Sequence, residues 1–332
     1  MVAILLASTL LVPQYERVLI VSAKPAFWRS HVSCTVLSES ETVAGFTCDS
    51  IGHHGELYAG KPFVWRAGRL HRLPIIKGEE YGHVYAGNND VLVGSVKRSY
   101  RDYPAQWTPD PRLGWSKATL KILSRQEGRA TFIGPKGEIY VHKGNSLSGK
   151  IVSGKFQILN FGDFALVGLD SKGRLYGNRH KGVHFGGGPA NTKPGLFSNG
   201  KWQAFDLIER EANIFVDSYL ADVNKDGVAA GKTQFDAAVW KGGKPNLLFG
   251  KTRRWSSAND INDLGEIVGD ASVEEVEDSM PFLWSAGKIR DLTSELPKLN
   301  YGEALRINNR GSIAVKGLIK DAAHLYLLRR KS

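Results

Sequence analysis

Sulfur is scarce in this sequence, with two cysteines and two methionines in 332 residues. The spacing of Cys34 and Cys48 gives no support for a zinc site. Long apolar runs are also missing. The run Val2 to Val12 in "MVAILLASTLLVPQY" is too short to cross a bilayer as a helix, and no collagen, coiled-coil or disordered composition is present. No H-E-x-x-H, P-loop or G-x-S-x-G occurs, and no Cys/His pair has a recognisable catalytic spacing. The glycine run "HFGGGP" lacks the following lysine and helix of a phosphate cradle, so it reads as a loop. The familiar hydrolase and nucleotide chemistries therefore have no anchor here.

What the sequence does have is glycine, aromatic residues and positive charge. The 37 glycines and 33 aromatic residues favour many short strands and tight turns. The excess of 44 Lys and Arg over 33 Asp and Glu gives a formal charge of +11, which favours anionic partners. Residues 1–13 read as an export signal core, with no basic residue ahead of it and no A-x-A site; a buried N-terminal strand is the competing reading. Export predicts an extracellular or periplasmic protein. It would also permit a disulfide between Cys34 and Cys48, provided that a bulge in their hairpin brings both to one face.

The chain repeats itself at intervals of roughly 40 to 50 residues. Seven turn phrases recur: "LSESETVAG" (37–45), "AGNNDVLVG" (86–94), "IGPKGEIYV" (133–141), "LDSKGRLYG" (169–177), "VNKDGVAAG" (223–231), "INDLGEIVG" (261–269) and "INNRGSIAV" (307–315). A second phrase follows most of them, as in "KPFVWRAGRLHRL" (61–73) and "MPFLWSAGKIRDL" (280–292). Each unit thus reads as two hairpins in tandem, with Gly or Asn supplying the positive φ of the first turn. Gly45, Gly94, Gly177, Gly231 and Gly269 are expected to let a neighbouring sheet approach. Trp65, Trp107, Phe197, Trp240 and Trp284 are expected to fill the gap between sheets.

A four-stranded antiparallel unit repeated seven times predicts an all-β, seven-bladed β-propeller spanning residues 14–332 as one domain. The last unit runs out after three strands, and "QYERVLIV" (14–21) is a spare strand that can complete it and close the ring. The phrase aliphatic-Asn-Asn-x-Gly-x-Ile-Val-Gly, followed by Trp-x-x-Gly-x-aliphatic-x-Asp-Leu, resembles the bacterial HAF-repeat family of extracellular propellers. Ile261 to Gly269 with Pro281 to Leu292 carries the match best. Units two to four are degenerate, and the His-Ala-Phe tripeptide is absent. The resemblance implies a propeller and export, and no catalytic activity.

In such a fold the repeated turns lie on one face and the variable loops on the other, so the turns read as scaffold and the loops as the place for function. On the loop face the sequence puts Trp28, Arg29, Lys97, Arg98, Tyr100, Arg101, Arg179, His180, Lys181, Arg253, Arg254 and Trp255. Aromatic rings that stack on sugars, together with Arg forks that grip carboxylates or sulfates, suit an anionic polysaccharide or envelope component. Nucleic acid is disfavoured in an exported monomer. An enzyme of the polysaccharide lyase or hydrolase type, using His53, His54, His180, His184 or Tyr residues at a central funnel, is the alternative, and a protein-interaction scaffold is a third. "DVNKDG" also matches the opening of a calcium loop, with Asp222, Asn224 and Asp226 as candidate ligands against a plain Asx turn.

Overall fold

The computed structural model describes residues 14–23, 31–48, 50–51, 57–58, 60–79, 81–88, 90–99, 101–144, 146–180, 192–208, 218–250, 255–272, 279–320 and 322–331. It is a seven-bladed β-propeller in which every blade is a four-stranded antiparallel sheet. Blade 1 comprises His31–Leu37, Val43–Cys48, Lys61–Arg66 and Arg69–Arg72, with a two-residue-strand hairpin, Ser50–Ile51 and Leu57–Tyr58, set between its second and third strands. Blades 2 to 6 run from Gly82 to Ile122, Arg129 to Ile158, Phe164 to Ala204, Tyr219 to Leu247 and Ser256 to Asp291. Blade 7 takes three strands from Tyr301–Ile307, Ile313–Ile319 and Ala322–Arg330, and its fourth from Tyr15–Ser22. The expected closure by the N-terminal strand is therefore present, running from Tyr15 opposite Arg330 to Ser22 opposite His324.

First strands of successive blades touch around the whole ring and form the wall of the axial channel. The meander puts the first and third connections of each blade on one face, the turn face. The second connections and the inter-blade segments lie on the other, the loop face. On the turn face the third connection is a tight hairpin with positive φ at both central residues: Ala67–Gly68, Ser153–Gly154, Asn199–Gly200, Gly242–Gly243 and Ala286–Gly287. That geometry matches the right-handed twist of the flanking strands. The pair in blade 3, Ser153–Gly154, belongs to a second phrase that the repeat alignment passes over.

Buried apolar side chains of the described residues fall into seven clusters, one at each blade interface. Stability therefore resides in the radial seams rather than in one central core. The expected aromatics occupy them: Trp65, Trp107, Phe197, Trp240 and Trp284 each pack against the preceding blade. Both fully buried indoles are satisfied, Trp107 Nε1 donating to Pro74 O at 2.7 Å and Trp240 Nε1 to Asp206 O at 2.9 Å.

The repeat hides a feature of the innermost strands. All seven carry a β-bulge at the same place, at Thr35, Tyr85, Thr131, Val167, Ala221, Asn259 and Leu305. The bulge drives the preceding strand-one carbonyl toward strand two. A Cβ on Gly45, Gly94, Gly177, Gly231 or Gly269 would stand 1.8 to 2.0 Å from the carbonyl oxygen of Ser33, His83, Ala165, Tyr219 or Ser257. These glycines are thus required by their own blade's bulged strand, and not by the approach of a neighbouring sheet.

The hairpin of the two cysteines is bulged, yet its register does not bring them to one face as the disulfide required. Cys34 pairs with Gly45 and Cys48 with His31, so the two side chains face opposite sides of the hairpin, three rungs apart. Both side chains are buried, and the conditional disulfide between them is not formed.

Candidate functional site

The turn phrases of blades 5 to 7 build a hydrogen-bonded belt along the turn-face mouth of the channel, ending on blade 1. In blades 5, 6 and 7 the Asn of the phrase accepts two backbone N–H groups of its own turn: Asn224 from Asp226 and Val228, Asn262 from Leu264 and Glu266, Asn308 from Arg310 and Ser312, all at 2.9 to 3.1 Å. The same amides donate to the next blade, Asn224 to Asn262 O at 3.3 Å, Asn262 to Asn308 O at 3.1 Å and Asn308 to Ser38 O at 2.9 Å. A second relay runs outside the first, from Lys225 N to Asp263, Asp263 N to Asn309 and Asn309 N to Glu39. Ser312 Oγ and Arg329 Nε both donate to Glu41, tightening the seam where the ring closes. The repeated turns are scaffold, as their position predicts.

Inside this belt lies a cavity of about 340 Å³ lined from all seven blades. In six of the seven blades the residue after the bulge lines its wall: Asp222, Asp260 and Arg306 in blades 5 to 7, and Val36, Ala86 and Phe132 in blades 1 to 3. Burial and the adjacent Asp260 charge hold the Asp222 carboxyl well above the usual carboxylate range. Burial raises Asp260 as well, against the pull of Arg306. The polar groups again bridge blades. Asp222 accepts Ile261 N at 3.5 Å, Asp260 accepts Ile307 N at 2.6 Å, Arg306 Nε donates to Thr35 O at 3.3 Å, and Thr35 Oγ1 to Val84 O at 2.9 Å. This polar wall ties blades together, and the sequence signal for it is the shared position of "ADVN", "NDIN" and "LRIN".

The candidate calcium ligands are engaged separately within this scaffold. Asp222 faces Asp260 in the channel wall, the Asn224 carbonyl oxygen is occupied by two backbone donors, and Asp226 pairs with Lys225 Nζ at 2.9 Å. Among the described residues no group of three or more His, Cys, Asp or Glu side chains could hold a metal ion.

The loop face carries Lys97, Arg98, Arg101, Arg179, His180 and Trp255. Trp28, Arg29, Tyr100, Lys181, Arg253 and Arg254, together with His53, His54 and His184, lie outside the described residues. Register brings two pairs of like charge together. Arg98 stands directly opposite Arg101 in blade 2, and exposed Arg179 directly opposite exposed Lys193 in blade 4. The corresponding loop-end rungs hold Lys61 in blade 1 and Lys143 in blade 3, but Thr233 with Asp236, Ser272 with Ser279 and Ile319 with Ala322 in blades 5 to 7. Positive charge on this rung is therefore an arc over blades 1 to 4. Only strand register sets Lys193 opposite Arg179, while Lys61 and Lys143 stand opposite Thr47 and Ser146.

His180 is anchored rather than presented, its Nδ1 sharing a hydrogen bond with Thr192 Oγ1 at 3.0 Å. Trp255 is half exposed, edge-on to Phe235 with centroids 4.4 Å apart and the Lys232 ammonium 5.7 Å from its ring.

Between blades 6 and 7 a second polar group gathers beside the channel. Asn259 Nδ2 donates to Asp270 at 3.2 Å and to Glu303 at 3.4 Å, Ser279 Oγ donates to Asp270 at 3.2 Å, and Lys316 Nζ lies 2.5 Å from Glu303. Burial, reinforced by the Glu303 charge, pushes the Asp270 carboxyl up to about 6. Compared with known proteins, the chain matches no family model and no curated protein.

Proposed function

We propose that this propeller is a non-catalytic binding module for an anionic polymer, an acidic polysaccharide or envelope component, which it engages along the loop-face arc of blades 1 to 4. The observation that carries this reading is the pairing of Arg98 with Arg101 and of Arg179 with Lys193 across single rungs. Like charges directly opposite on neighbouring strands destabilise a sheet by a few tenths of a kcal/mol to about 1 kcal/mol, so such pairs fit a surface that meets counter-charge from outside. Guanidinium forks such as Arg98, Arg101 and Arg179 bind carboxylate or sulfate groups bidentately, the Lys193 ammonium adds a point charge, and two pairs on alternate blades suit a ligand with repeated anions. The HAF-like phrases and the apolar run at Val2 to Val12 support export to a compartment where such polymers occur.

The test is elution from immobilised heparin, used as a sulfated polymer probe. Arg98→Ala with Arg101→Ala, and Arg179→Ala with Lys193→Ala, are each expected to lower the salt needed for elution, and all four together to abolish retention at physiological ionic strength. Lys201→Ala with Lys244→Ala, on the turn face, is the control. Retention that is indifferent to the loop-face variants, or lost equally in the control, refutes the assignment.

A further inference from the structure

We propose that a recess between the outer edges of blades 1 and 2, on the turn face, is a binding site for a small organic oxyanion, one carrying a carboxylate, sulfate or phosphate on an apolar or ring-shaped body. The recess has a volume of about 530 Å³ and is walled by the Arg66–Arg69 hairpin end of blade 1 and the Asp110–Gly114 turn of blade 2. That size suits a small organic molecule and is far larger than a bare inorganic anion needs.

Three features converge there. The first is Trp115, which lines the recess, is 5% exposed and has an indole N–H with no hydrogen-bond partner. The contrast with Trp107 and Trp240, whose indoles both reach carbonyls, marks Trp115 as the exception. A buried donor without an acceptor calls for a partner from outside the chain. The second feature is charge. Arg66 and Arg69 stand directly opposite each other, and Arg112 and His71 join them in the lining.

Two carboxylates also line the recess, and against its three arginines they leave one positive charge in excess. Asp110 accepts the backbone N–H groups of Arg112 and Leu113, both at 2.8 Å, and these bonds hold its pKa below the usual carboxylate value. Asp90 stands well out in solvent, 4.0 Å from Arg66, with its side chain 81% exposed. The third feature is an apolar rim, in which Leu113 is 54% exposed and flanked by Pro109 and Pro111. An acceptor for the indole, guanidinium forks for an oxyanion and an apolar edge for a ring together specify the ligand class. Arg69 is partly a repeat feature, since Lys155, Lys201, Lys244 and Lys288 hold the same turn position. Trp115, Arg112 and Leu113 belong to the longer turn of blade 2.

The experiment follows the eight Trp indole N–H signals by two-dimensional NMR of the full chain, with Trp115 identified by its loss in Trp115→Phe. Sodium sulfate and phenyl sulfate serve as the two probes, at constant ionic strength. Both should move the Trp115 signal downfield and saturably, with phenyl sulfate half-saturating at a concentration about tenfold or more below that for sulfate. Arg69→Ala with Arg112→Ala, at exposed turn positions, should weaken phenyl sulfate about tenfold or more, while Arg98→Ala with Arg101→Ala on the other face should leave it unchanged. A Trp115 signal that does not move, equal affinity for the two probes, or an affinity unaffected by the Arg69/Arg112 pair overturns the proposal.

Discussion

Replacing Asn262 by Asp tests the turn-face belt with the smallest possible change. Asn262 is 4% exposed, and its Oδ1 accepts Leu264 N at 3.1 Å and Glu266 N at 2.9 Å. Its Nδ2 donates to Glu266 Oε2 at 2.8 Å and across the blade interface to Asn308 O at 3.1 Å. Asp keeps the acceptor and hence the turn, but loses both donated bonds and sets a second carboxylate against Glu266. A lost hydrogen bond to a charged group costs about 1.5–3 kcal/mol and the lost bond to Asn308 O, which keeps its bond from Gly311 N, about 0.5–1.5 kcal/mol, so about 2–4.5 kcal/mol in all is expected. At about 2 cal/mol/K of unfolding entropy per residue, a chain of this size loses about 3–6.5 °C of Tm for that deficit. Asn262→Ala, which also strips the acceptor from two turn N–H groups, should fall further. Calorimetry or a thermal melt followed by circular dichroism reads the difference. Should Asn262→Asp melt within about 1 °C of the parent, the inter-blade amide bonds contribute nothing net, and the belt is only a set of local turns.

Four further outcomes follow from the geometry. Gly269→Ala forces a Cβ to within 1.9 Å of Ser257 O and should unfold or severely destabilise the protein, whereas Gly265→Ala, with φ +77 and open space around it, should cost only about 1 kcal/mol in a denaturant titration. His142, buried and accepting Leu166 N through Nε2 at 2.9 Å, has its pKa lowered to about 4 by desolvation and then by Arg129, while the ordinary value is 6.5. The unfolded chain therefore binds the proton first, so stability should fall as pH drops from 6.5 toward 4, and His142→Gln should flatten that slope in urea midpoints. Burial pushes the Cys34 thiol up to about 12, so a thiol reagent at pH 8 should modify it only at the rate of unfolding. Deleting residues 14–22 leaves the Ala322–Arg330 strand as an open edge, and the shortened chain should aggregate on size-exclusion chromatography where the parent does not.

The number of blades, the closing strand and the sorting of faces were all legible, because each rests on residues with one cheap backbone solution. Gly137, Gly173, Gly227, Gly265 and Gly311 all have the left-handed φ their turns demand. A bulge enters the sequence reading only in the cysteine hairpin, although those of blades 5 to 7 leave a trace. In Leu220–Val223, Ala258–Ile261 and Ala304–Ile307 two inward residues are three apart, an odd spacing that a regular strand forbids. That slip, and not a neighbouring sheet, is the reason for Gly45 and its equivalents, and the register it leaves sets Cys34 and Cys48 on opposite faces of their hairpin. The loop-face arginines were legible singly, but their pairing with each other and with Lys193 depends on hairpin register, which composition does not encode. The recess at Trp115 was invisible for a related reason, since it lies between the edges of two blades whose turns are far apart in sequence.

The way blade 7 is completed has a mechanical consequence. Tyr15 and Arg330 sit at the same end of their antiparallel ladder, and Lys331 N still donates to Gln14 O at 2.8 Å. A load pulling these two chain segments apart would therefore peel the ladder one rung at a time, as a zip opens, instead of shearing all its hydrogen bonds at once. The joint that holds the ring shut resists spreading of the blades, where the whole strand shares the force, yet yields readily to a tug on the ends of the chain.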